Sequence, residues 1–201
     1  VYMNLFYLDK DLEKCAQYHV DKHVSKMILE SAQIICTNLT VDHLFGDLPG
    51  KLNSEQNKKL SDFRKEQKEL PQEDRLFMYL PTMQNHPSTI WARSSLENFY
   101  WTHCYAHALA EEYRYRYGKA HKSFWDVINK MPEPKHMVDR GFTTFGLAMP
   151  DELKDYDNPI ESYRMYYMLD KATFASWKHR DKPDWWQEDV ADYEKRITRN
   201  G

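Results

Sequence analysis

The feature that most constrains this chain is the spacing of its apolar residues between Leu12 and Leu39. Leu12, Ala16, Val20, Val24, Met27, Ser31, Ile34 and Ile35 recur at intervals of three and four, the repeat of one helix face. Asp9 or Asp11 stands ahead of the run as an N-cap. One long helix is therefore expected over about 12–39, preceded by a short extended segment, Met3–Leu8. A second strong helix is expected to open at His86-Pro87, with Ser88 or Thr89 as its cap. It runs through Trp91 and Asn98 to Tyr117 and stops at Gly118. A short helix is expected over 123–130. Asn158-Pro159 opens another that reaches about Trp177, and a terminal helix is expected over 184–199. Residues 40–80 read as a charged excursion, with a solvated helix in Lys51–Leu70.

Only 6 glycines in 201 residues leave few positions for the tight turns of a β fold. The expected class is mainly α: a single-domain helical bundle over 1–201 with a short extended N-terminal segment. No apolar run is long enough to cross a bilayer, and no secretory leader is evident, so no membrane partner and a cytoplasmic location are expected. Cys15, Cys36 and Cys104 form no C-x-x-C pair and are expected to be reduced packing residues. A net charge of −3 argues against strong non-specific DNA binding. No phosphate-binding loop, dinucleotide fingerprint, nucleophile elbow or catalytic cysteine signature occurs.

Three patterns could carry chemistry. On a continuous helix His19, Lys22, His23, Lys26 and Glu30 share one arc bordering the apolar face, where side chains three and four apart stack. Partial burial there would tune imidazoles, amines and a carboxylate for proton transfer. The same stripe also fits a solvated flank with a Lys26–Glu30 ion pair. His19 and His23 have the spacing of a helical zinc pair, but neither a H-E-x-x-H motif nor a cysteine cluster accompanies them, so no metal and no cofactor are expected. In the second pattern Asn98 sits among Trp91, Trp101 and Tyr105, suited either to a base edge or to an aromatic core. In the third, Arg114, Arg116, Lys119, His121 and Lys122 alternate with tyrosines near a helix end, a phosphate-holding arrangement or simply cations favoured at a helix C-terminus. With His86 and Asn98 these five make up the expected substrate-binding set.

The blocks MNLFYLDKD, CAQYHVDKHVSKMILESAQ, HPSTIWA, EEYRYRYGKAHKS, AMPDE and PDWW resemble a family of small proteins of tailed phages and large DNA viruses. More distantly, three motifs are similar to the pyrimidine-dimer DNA glycosylases: A-x-Y-H at Ala16–His19, His86-Pro87 followed by Trp91, and E-Y-R-Y-R-Y-G at Glu112–Gly118. That likeness implies a small all-helical enzyme that excises a damaged base and then cleaves the abasic strand, in the cytoplasm of an infected host cell. It also implies an amine nucleophile, at the N-terminus in that family and replaceable here by a lysine. A catalytic Glu is implied where this chain has Val20, with Asp21 or Glu30 as substitutes. The expected function is base-excision chemistry on DNA or nucleotides. The alternatives are an enzyme acting on a free nucleotide or other anionic metabolite, and a non-catalytic viral module that binds a protein.

Overall fold

A computed structural model describes residues 3–189, and among these every regular element is helical. The α-helices are α1 (Leu12–Tyr18), α2 (Asp21–Phe45), α3 (Ser54–Lys68), α4 (Pro87–Arg93), α5 (Leu96–Tyr117), α6 (Lys122–Asp126) and α7 (Pro159–Lys171). Single 3-10 turns cover Gln72–Asp74, Ile128–Lys130, Asp151–Leu153 and Ala172–Phe174. The expected mainly α bundle is what forms. No helix of the described residues is long and apolar enough to cross a membrane.

Helix α2 is the central rod, packed against α4, α5 and α6. Its stretch Ile34–Asp42 is buried on every side, as befits a helix surrounded by others. Met3–Leu8 threads through the core without pairing as a strand; Leu5 and Leu8 are fully enclosed. Its backbone polar groups are met by side chains, Tyr105 Oη accepting from Phe6 N–H at 3.2 Å and Cys15 Sγ from Leu8 N–H at 3.4 Å. Phe6, Tyr7, Trp91, Trp101, Tyr105, Phe145 and Tyr163 pack largely edge to face in this core. Gly146 lies here because a Cβ would stand 2.9 Å from the Pro87 carbonyl.

The long helix expected over 12–39 is broken. His19 and Val20 are extended, with ψ of 135° and 153°. Neither glycine nor proline causes the break; tertiary partners take over the freed backbone groups. Arg116 donates to the carbonyls of Gln17 and His19 at 2.9 and 2.8 Å, and Trp177 Nε1 to that of Tyr18 at 2.9 Å. Val20 N–H donates to Tyr167 Oη at 2.9 Å and Asp21 N–H to the Ser176 carbonyl at 2.8 Å. Beyond Leu39 the helix continues to Phe45 and ends at Gly46, whose φ of 75° is in the left-handed region.

The second long helix is broken as well, at Ser94 and Ser95. Leu96 N–H donates to the Val138 carbonyl and Ser95 Oγ to Asp139 Oδ1. The cap of α4 is His86, whose Nδ1 accepts from Ser88 N–H at 3.2 Å, rather than Ser88 or Thr89. Gly118 closes α5 with φ of 67°, as expected. Helix α7 stops at Lys171, short of Trp177, and Asn158 does not cap it with its side chain. Helix α3 is the solvated helix of the excursion, anchored by buried Leu60 against Val41 and Leu52. Cys15 and Cys36 pack as expected, whereas Cys104 is exposed. The expected terminal helix falls mostly outside the described residues, and 184–189 form no helix.

Candidate functional site

Met3–Phe6, α2, the start of α4, the strap Leu147–Lys154 and the end of α7 enclose a cleft of about 780 Å³. Its walls carry His23, Lys26, His86, Lys154 and Lys171, with Asp170 as the acidic member. Lys171 pairs with Asp170 and Lys154 with Asp151 at 2.7 Å. Tyr166 and Phe6 supply rings, and Met3, Met27, Met83 and Met149 supply soft apolar surface.

Glu30 does not itself line this cleft; it is buried behind Asn4 and Lys26, which do. It is only 2 % exposed, on the face of α2 that also bears Lys26 one turn back. Lys26 Nζ stands 3.6 Å from Glu30 Oε1, and Asn4 N–H donates to Oε2 at 3.2 Å. Oε1 is buried with no hydrogen-bond partner. Burial outweighs the nearby Lys26 and raises the carboxyl to about 7, so both protonation states are accessible near neutrality. A buried carboxyl ion-paired to an exposed amine that lines the cleft can exchange a proton with that amine.

His23 borders the same space. Its ring stacks on Phe6 at 4.6 Å, and its Nδ1 lies 2.9 Å from Tyr167 Oη. Because that hydroxyl already accepts from Val20 N–H, it donates to Nδ1, leaving the proton of the neutral ring on Nε2. Burial, with the neighbouring cations, lowers His23 to about 2, so it stays neutral at working pH.

The remaining expected residues are placed differently. The break turns His19 into the core, fully buried. Its Nδ1 donates to the Cys15 carbonyl at 2.6 Å and its Nε2 accepts from Tyr105 at 2.8 Å, which leaves no ring nitrogen for a metal or substrate. Burial lowers it to about 3. Among the described residues no group of three or more His, Cys, Asp or Glu could hold a metal ion. Lys22 is exposed, its Nζ 4.8 Å above the Phe174 ring, and it does not line the cleft.

Asn98 is fully buried and spans the α4–α5 break. It donates to the Trp91 carbonyl at 2.8 Å and to Thr143 Oγ1 at 2.7 Å, and accepts from Thr143 N–H at 3.1 Å. No group of it is left for a base. Arg116 is equally buried, bound to Glu112 and Asp21 besides the two carbonyls of the first break. It is a core brace rather than a phosphate holder. His121 caps α6 and contacts Ser25, and Arg114, Lys119 and Lys122 are exposed away from the cleft.

Thus His23, Lys26 and His86 come together at the cleft with Glu30 buried behind Lys26, while His19, Lys22, Asn98 and the Arg114–Lys122 group do not join them. Asn4, Lys154, Tyr166 and Lys171 belong to the site and were not anticipated. The sequence cues were the MNLFYLDKD block, whose Met3, Asn4 and Phe6 line the cleft, and the AMPDE block, whose Ala148, Met149 and Pro150 do. No family model, curated protein or solved structure matches the chain.

Proposed function

We propose that this chain is an enzyme of the phage and large-DNA-virus kind that acts on DNA or nucleotides by base excision, with Glu30 and Lys26 as its reacting pair. The observation that carries the reading is the Glu30 carboxyl: buried, raised to about 7, and ion-paired at 3.6 Å to the Lys26 amine, which lines a cation-rimmed cleft. It also favours Glu30 over Asp21, the other carboxylate that the glycosylase likeness left open. Asp21 is occupied by Arg116, Ser176 and the Lys178 N–H.

In this reading Lys26 Nζ passes a proton to the Glu30 carboxylate and attacks the anomeric carbon of a deoxynucleotide. The bond from that carbon to the base breaks, and its electron pair leaves with the base. The Glu30 carboxyl supplies the proton that the departing base takes up. A proton moves from the added nitrogen to the ring oxygen as the bond from that oxygen to the anomeric carbon breaks, and the opened sugar is left as an iminium. The Glu30 carboxylate then removes the proton beside the iminium carbon, and the 3′ phosphate leaves. Lys154, Lys171 and His86 offer cationic or hydrogen-bonding contacts to phosphate, and Tyr166 a ring for the base.

A second reading is favoured by the net charge of −3 and by the distance of the Arg114–Lys122 group from the cleft: an enzyme for a free nucleotide or another anionic metabolite. Base release, measured by chromatography from oligonucleotides carrying modified bases and from mononucleotides, separates the two. Release from DNA that falls by about 10²–10⁴ in Glu30→Gln is the expected result. Release from mononucleotides alone supports the second reading, and no release from either overturns both.

A further inference from the structure

The donor that faces Glu30 Oε2 is a backbone N–H, which no side chain can replace and whose aim depends on how its residue is held. Asn4 is held from three directions. Its Nδ2 donates to the Ala148 carbonyl at 2.9 Å; its Oδ1 accepts from Tyr163 Oη at 2.9 Å and from Leu5 N–H at 2.8 Å. Tyr163 is in turn fixed: its one hydroxyl proton is shared between Asn4 Oδ1 and the Gly146 carbonyl at 3.0 Å, and its oxygen accepts from Ala148 N–H at 3.2 Å. Both residues are buried, Asn4 at 6 % and Tyr163 at 0 % exposure. One hydrogen-bonded unit therefore ties α7, the strap and the N-terminal segment to the carboxyl on α2.

We propose that Asn4, held by Tyr163, is a positioning residue that aims its own backbone N–H at Glu30 and so sets the protonation equilibrium of that carboxyl. A donor to the ionised carboxylate favours the charged form and opposes the effect of burial. The charged and titratable groups near Glu30 are Lys26 on its own helix, Lys171 on α7 and the Tyr105 phenol on α5. None of them is hydrogen-bonded to the Asn4 side chain, whose partners are the Ala148 carbonyl, Tyr163 Oη and Leu5 N–H. The same strap lines the cleft at Ala148, so a ligand that displaces it would reach Glu30 through this unit.

The role assigned to Asn4 rests on the reading of Glu30 as the proton-transfer group. It is tested without substrate, so its failure is distinguishable from failure of that reading. The Glu30 carboxyl is titrated by carbon NMR in the intact chain labelled at glutamate, with Glu30→Gln identifying the resonance. Asn4→Ala and the milder Tyr163→Phe are compared with Thr143→Ala, which breaks a half-buried bond of similar length to Asn98 outside the cleft. The midpoint is expected to rise by about half a pH unit or more in both cleft variants and to stay in place in Thr143→Ala. An unmoved midpoint in both cleft variants, or an equal rise in Thr143→Ala, would overturn the assignment.

Discussion

At the scale of single residues, buried titratable groups control how this chain responds to pH. Glu30 has its folded value raised from 4.5 to about 7, so the folded form binds the proton more tightly than the unfolded one. Its burial is therefore without cost below about pH 4.5, increasingly unfavourable as pH rises, and fully so above about 7. His19 and His23 act in the opposite sense: unfolded imidazoles take up protons below about 6.5, the folded ones only near 3 and 2. Stability from these two is lost as pH falls below 6.5. Glu30→Gln is thus expected to raise stability by on the order of 2 kcal/mol at pH 8 and to change little at pH 4, as read by urea unfolding. Equal effects at both pH values would show that the carboxyl is not raised.

Which of these residues were legible is instructive. Glu30, Lys26 and His23 stood out because three- and four-residue spacing is preserved within α2. The spacing places His19 on the same stripe, but it and Val20 are extended ahead of α2, which takes it off that face. Asn4, Lys154 and Lys171 carried no local pattern; only the fold brings them beside Glu30.

At the scale of elements, both missed breaks have the same physical origin. Residues 17–21 and 94–96 have sequences compatible with helix, and the backbone bonds given up there are replaced by partners distant in sequence. Apolar periodicity cannot report such partners, though Ser94-Ser95 offered a weak local sign, because serine competes for backbone bonds. Arg116 is the brace of the first break. Replacing it by Met leaves the Gln17 and His19 carbonyls unmet inside the core, while Glu112 keeps Arg180 through bonds of 3.0 Å to each oxygen. Arg116→Met is expected to cost about 3 kcal/mol, against less than about 0.5 kcal/mol for exposed Arg114→Met. Equilibrium unfolding measures both. Similar small costs would mean that Arg116 is not the brace and restore it as a candidate for phosphate.

At the scale of the whole molecule, the bundle is built so that its least regular parts meet at one place. The N-terminal thread, the His86 turn, the strap at 147–154 and the end of α7 all converge on one face of α2. The mainly α class was readable because periodic segments exceed anything a strand would need. The cleft was not, because irregular segments have no period and their closure is a property of packing. Met83 at its rim adopts a positive φ of 50°, a local strain that no pattern announces.

The most direct test of the reacting pair is borohydride reduction in the presence of DNA carrying an abasic or modified nucleotide, followed by peptide mapping. A covalent adduct on Lys26, strongly reduced in Glu30→Gln and retained in Lys22→Ala, is the predicted result. Borohydride-stable adducts absent from every substrate, or mapping to Lys22 or Lys119 on the open surface, would contradict it.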